Sequence, residues 1–379
     1  MRSGYTATPE VLAAVRILFC LHLLIFGLIP IAWLGDLPEV FFRPPLGPMQ
    51  LIGEFPSRTL GQFLDGAGIV LVVMVGIGLW TRASSILLFG WAITTSAFLF
   101  SLGKVDHSLI WWTVVPLLGI AGWGDAFSID RLRSEGLARI PRPSWPLPTL
   151  AFILAFGYLT AALPKLGRGW LSPDSQAVER YMKDLFVSQG RDELLADRFA
   201  SLESPVLWEL LDWWTVAFEL GIALTVLWPP VFRRLLLLAA IFHVVVLLVM
   251  NISFTSMMFV YAPLLARGGA SSLATINAKV VVPASVALFV ALGAVSIWSG
   301  PPRDLVMAVV PFSELSLQAI IGALLAAFVG FTYYDTRPIA EVVEATPEKR
   351  SESSRSGSSR PPAMEVGGRA SSADRELAQ

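Results

Sequence analysis

The chain has 379 residues, of which 55% are hydrophobic and only 15% charged, with thirteen Trp and a net charge of −1. Soluble domains carry about 25% charged residues, so the composition is that of a polytopic membrane protein. The near-zero net charge gives no electrostatic case for nucleic acid, and a single cysteine, Cys20, excludes an internal disulfide or a CxxC redox pair.

A crossing helix needs about 20 apolar residues to cover about 30 Å of hydrocarbon. Ten stretches qualify: 10–34, 63–80, 83–102, 108–124, 148–165, 207–228, 232–250, 252–267, 277–298 and 316–334. The expected fold is therefore an all-α membrane protein, a polytopic bundle of about ten transmembrane helices. The first stretch has no small-residue cleavage pattern and reads as an uncleaved span. The fourth and eighth are short, and the eighth also reads as re-entrant. With the N-terminus inside, Arg2, Arg82, Arg131, Arg133, Arg139, Arg142, Arg233, Arg234, Arg267 and Lys279 fall on the inner side. Only Arg43, Arg58, Lys104 and Arg303 fall on the short outer loops, so both termini are expected to be cytoplasmic.

Two connecting segments have their own character. Val178, Tyr181, Met182, Leu185 and Phe186, then Leu194, Leu195 and Phe199, recur at helical spacing between charges. They predict amphipathic helices on the outer membrane face over 174–203. Residues 337–379 are rich in Ser, Arg, Glu and Pro, which predicts a disordered cytoplasmic tail. The turn at 122–132, GWGDAFSIDRL, reads as structural, with Asp125 or Ser128 able to cap a helix.

Ionisable residues inside spans cost about 2.5–3.5 kcal/mol each at the centre, so each needs a partner or a role. Asp106 and His107 open the fourth stretch, as a helix cap or as an acid–base pair facing a pocket. Glu219, mid-way through the sixth, has no basic residue four positions away and must find a hydrogen bond on another helix or be protonated, either as an interhelix tie or as a pocket group. His243 sits among apolar neighbours, where an interhelical hydrogen bond is the default. Arg16 either snorkels or pairs with Glu219. Lys165 follows Pro164 where the fifth stretch ends, ahead of Trp170; a lysine there anchors the helix end or, kept from water, serves as a base. No metal-ligand spacing, phosphate loop or Ser-His-Asp pattern appears, and no metal is expected.

Four of these features together resemble the HTTM (horizontally transferred transmembrane) domain, the membrane part of vitamin K-dependent γ-glutamyl carboxylases and of many bacterial relatives. Tyr158 to Trp170, YLTAALPKLGRGW, matches the family's tyrosine, small residues, lysine, leucine and later tryptophan, and Lys165 falls on the lysine proposed as catalytic base. Asp106-His107 falls on an Asn-His pair thought to assist it. Phe242-His243 followed by Asn251 to Phe254 resembles the family's FH segment, and Leu79 to Arg82 its second cytoplasmic turn. The match covers residues 8–268, which leaves 269–336 as two additional helices before the tail. Pro164 stands where the family has another lysine, Asp106 replaces its asparagine, and no large lumenal domain follows. The resemblance implies a bacterial cytoplasmic-membrane protein with a reduced, vitamin K-like quinone as cofactor. Lys165 and His107 would be catalytic, and Asp106, Tyr158, Trp170, Glu219 and His243 would support the pocket.

Two functions follow. One is a quinone-dependent, carboxylase-like or oxidase enzyme acting on a peptide or lipid at the outer face. The other is a non-enzymatic membrane partner in maturation or export of a secreted peptide. A transporter is disfavoured, because no inverted repeat or pair of broken helices is visible.

Overall fold

Proline and glycine set where the apolar runs start and stop as helices. The computed structural model describes residues 4–103, 105, 108–135, 141–173, 175–266, 271–300, 307 and 313–334. The ordered elements among them are all helical. Helix α1 (Pro9–His22) starts at a Thr8 cap, runs into a π-helical turn at Leu23–Gly27 and resumes as a 3-10 turn at Ala32–Asp36 after Pro30. Helices α2 (Arg58–Ile77) and α3 (Thr81–Phe100) form a hairpin. The short α4 (Ser108–Trp112), α5 (Val114–Ala121) and α6 (Ile129–Arg133) lead to α7 (Pro146–Gly167). Two further helices, α8 (Ala177–Gln189) and α9 (Ala196–Ala200), precede α10 (Pro205–Thr225) and α11 (Pro229–Met250). A 3-10 turn at Thr255–Met257 opens α12 (Met258–Leu265). The last are α13 (Ser271–Ala274), α14 (Ala278–Ser299) and α15 (Glu314–Tyr334).

Among the described residues, seven helical stretches are long and apolar enough to cross a membrane: α1 extended to Asp36, α2, α3, α7, α11, α14 and α15. An integral membrane protein follows from their length and composition. The other three expected spans take different forms. The 108–124 stretch is broken at Thr113, because Pro116 has no amide to bond the Trp112 carbonyl. The 252–267 stretch yields only α12, too short to cross and buried along its whole length. α10 has the length, but Glu209, Asp212 and Glu219 lie within it. The helix at 148–165 also continues through Pro164 to Gly167, so the proline does not end it.

α14 and α15 pack onto the earlier helices within one compact unit, Met1–Ile339. A Cβ at Gly76 of α2 would meet the Phe289 ring of α14 at 2.6 Å, so the missing side chain is what lets that ring seat. α15 lies against α11 and α12. The expected tail at 337–379 lies outside the described residues.

Arg16 neither snorkels nor meets Glu219. It is fully buried, and its guanidinium donates to the carbonyls of Trp123, Ala126 and Phe127, holding the loop after α5 against α1. A planar fork with several donors suits a loop whose carbonyls have left helical pairing. The 122–132 turn is structural throughout. Ser128 accepts from the Arg131 amide at 2.9 Å, whereas Asp125 pairs with Arg142 at 2.6 Å instead of capping; that hydrogen bond raises the Arg142 pKa. Asp130 takes the amides of Trp80 and Thr81 at 2.9 and 2.7 Å and so caps α3 from a distance. Ahead of α1, Tyr5 donates to the Val226 carbonyl at 2.7 Å, and burial pushes its phenol up to about 12 against the opposing pull of Arg233.

Candidate functional site

The site begins with a small residue on α7. Gly157 makes room for Ile110 of α4, which a Cβ there would meet at 2.5 Å, and α10 packs closely along α7. Tyr158 and Lys165 lie seven residues apart, two turns along one face of α7. That face, with α10 and α11, bounds a cavity of about 570 Å³. Aromatic and aliphatic side chains dominate its wall, among them Trp208, Trp214, Phe242 and Val246. The size and apolar lining are those of a small-molecule site.

The cavity is roofed by the segment between α7 and α10. Val178, Tyr181 and Met182 of α8 and Phe199 of α9 reach its wall. Two buried polar residues of the bundle hold the roof in place. Asp212 of α10, fully buried, accepts from the amides of Ala177 and Val178, both at 2.7 Å, and from the Ser175 hydroxyl at 3.1 Å. It therefore supplies the N-cap that α8 lacks in its own sequence, where Gln176 stands with φ of 41°. Asn251, at the C-terminal end of α11 with φ of 52°, accepts from the Glu193 amide at 2.9 Å and donates to the Glu193 carbonyl at 3.0 Å.

Polar groups gather at two poles. At the first, the Lys165 ammonium is bonded to Oε1 of Glu219 and lies 5.2 Å from the centre of the Trp170 ring. A carboxylate and an indole face are both partners suited to a cation. Glu219 thereby has the interhelical partner that its position demands. Its second oxygen, Oε2, is buried and has no hydrogen-bond partner among the described residues.

At the second pole the Tyr158 hydroxyl meets the Tyr261 hydroxyl at 2.7 Å, and Tyr261 meets Nδ1 of His243 at 3.1 Å. One residue comes from each of α7, α12 and α11. The imidazole is stacked on Phe254, with centroids 4.5 Å apart and planes 16° from parallel.

Five of the residues singled out from the sequence, Tyr158, Lys165, Trp170, Glu219 and His243, thus line one cavity. Asp106 and His107 lie outside the described residues. Tyr261 and Asp212 were missed, and Asn251 was noted only as part of the segment after Phe242-His243. A tyrosine in the short α12 run and an aspartate among the tryptophans of α10 were the available signals. Among the described residues, no group of three or more His, Cys, Asp or Glu could hold a metal ion. The chain matches no protein-family model, no curated protein and no solved structure.

Proposed function

We propose that the chain is an HTTM-like membrane enzyme that binds a reduced quinone in the α7–α10–α11 cavity and oxidises it. The observation that carries this reading is the buried Oε2 of Glu219, which has no partner among the described residues and can accept from an O–H donor inside an apolar, ring-lined space. The spacing agrees. Seven residues along α7 span about 10 Å, enough for a ring system with a hydrogen bond at either end.

A quinol bound there would give two electrons and two protons to dioxygen, leaving the quinone and hydrogen peroxide. Glu219 Oε2 would accept the proton of a ring hydroxyl, while Lys165 holds the carboxylate through Oε1. Expectation put the base at Lys165, but its contacts suit a cation, so the accepting atom is assigned to Glu219. Trp214 and Phe242 line the cavity where they would flank the ring, and the α8 roof would exclude water. The substrate class that the resemblance implies, a secreted peptide or lipid, would be modified at the outer face. In the same reading α10 crosses the membrane beside α7. The 108–121 and 251–266 segments also carry the chain through the bilayer in this reading, so both termini are cytoplasmic, and α8 and α9 lie at the outer face of a bacterial cytoplasmic membrane.

Titration of the protein in nanodiscs with menadiol under argon tests this. Tryptophan fluorescence is expected to quench saturably, and Ala161→Trp, which fills the cavity, to abolish the quench. Admitting air is then expected to yield menadione above the spontaneous rate. Binding without turnover would favour the non-enzymatic maturation partner, and absence of saturable binding would remove the quinone reading altogether.

A further inference from the structure

We propose that Tyr158, Tyr261 and His243 form a proton relay, with His243 receiving a proton from a ligand hydroxyl at the second pole of the cavity. The proposal rests on the quinol reading above and deepens it, because a quinol has two hydroxyls and the Lys165–Glu219 pole serves one.

Three observations carry it. The first is continuity: two hydrogen bonds, at 2.7 and 3.1 Å, join three groups that can each donate and accept. A tie between helices needs only one such bond, yet here three helices each contribute a member. The second is placement. Tyr158 and His243 both line the cavity, while Tyr261 between them is fully buried and is not part of the wall. The chain therefore leaves the ligand space at Tyr158, passes through protein at Tyr261 and reaches the cavity wall again at His243. The third is the surroundings of the imidazole, which has Phe254 stacked on it and the Tyr261 ring nearly parallel, 18° away, at a centroid distance of 5.9 Å. Aromatic faces favour a cation beside them.

The step balances without any electron transfer. The ligand O–H bond breaks and its proton passes to the Tyr158 oxygen. The Tyr158 proton moves to the Tyr261 oxygen, and the Tyr261 proton to His243 Nδ1. The net result is a phenolate in the cavity and an imidazolium at His243, with both tyrosines unchanged. Before the transfer, Nδ1 must be the unprotonated nitrogen, so that Tyr261 donates to it. Tyr261 acts through its neighbours and is a positioning residue, whereas Tyr158 touches the ligand.

The test uses para-nitrophenol, an acidic phenol that reports its own ionisation by colour, added to full-length protein labelled with 15N-histidine. Only three histidines are present, so single His→Gln variants assign the signals. Displacement of the probe by menadiol establishes that it occupies the quinol site; if the probe does not bind or is not displaced, the quinol reading fails, not the relay alone. With the probe bound, His243 is expected to change from a neutral ring with unprotonated Nδ1 to an imidazolium as the phenolate colour develops. In Tyr261→Phe the probe is expected to bind within about threefold of the original affinity, with His243 remaining neutral. The relay is overturned if His243 stays neutral while the native protein holds the probe, or if Tyr261→Phe leaves its protonation intact. An unliganded spectrum with the proton already on Nδ1 also overturns it, and that measurement needs no relay variant to fold.

Discussion

Asp212→Ala tests whether the roof of the cavity is held from below. In the native protein this fully buried carboxylate receives two first-turn amides of α8 at 2.7 Å and the Ser175 hydroxyl at 3.1 Å. Alanine leaves both amides without an acceptor. Hydrogen bonds to a charged group contribute about 1.5–3 kcal/mol each, but water can reach the end of α8 once it lifts, so a net loss of roughly 2–4 kcal/mol is expected. At about 1.4 kcal/mol per tenfold, amide exchange in α8 should quicken by roughly 30- to 700-fold. Hydrogen–deuterium exchange with peptide mapping in detergent reads this directly. Peptides from α7 and α11 should keep their native rates, since the substitution loosens the roof and not the bundle. Asp212→Asn, which keeps one carbonyl acceptor, should fall between. If exchange in α8 rises less than about threefold on Asp212→Ala, the cap does not hold the roof and the closed cavity needs another cause.

Other consequences are equally direct. Lys165→Met and Glu219→Gln should each lower the unfolding free energy in detergent, and the double variant should lose less than their sum, with a coupling of roughly 0.5–3 kcal/mol; strict additivity would mean that the pair does not act as one. Arg16→Leu should destabilise the fold by several kcal/mol, on the order of 1.5–3 for each carbonyl bond lost, as seen by a lowered thermal transition, and a transition unmoved from native would deny Arg16 its role as the tie for the loop after α5. A cysteine at Ser188 in a Cys20→Ser background should be labelled from the outer side of intact cells; labelling only after permeabilisation would invert the orientation.

The membrane class was legible from composition, and most helices from apolar runs of span length. The failures have physical causes. The 108–124 run is continuous in hydropathy, and Pro116 breaks it through a backbone bond that hydropathy does not weigh. The 252–267 run is as apolar as a span because α12 is enclosed by other helices; burial in protein and exposure to lipid demand the same side chains. At the site, Lys165, Glu219 and His243 stood out because ionisable groups at membrane depth are expensive. Their partners did not. Nothing local to Glu219 points to Lys165, 54 residues earlier, and a tyrosine such as Tyr261 carries no charge to attract notice. Nothing in the sequence around Asp212 marks it as a cap, and only the return of the chain over α10 reveals that it caps another helix.

The central claim is that Glu219, held by Lys165, accepts the proton of a quinol. Menadiol oxidation under air by purified Glu219→Gln and Lys165→Arg proteins tests it most directly, with binding under argon measured alongside. Glu219→Gln should bind menadiol yet lose roughly 100-fold or more of the oxidation rate, as expected when a general base is removed. Lys165→Arg should keep the rate within about tenfold, because a guanidinium can still pair with the carboxylate. The opposite pattern, an inactive Lys165→Arg beside an active Glu219→Gln, would make the lysine the base and contradict the account.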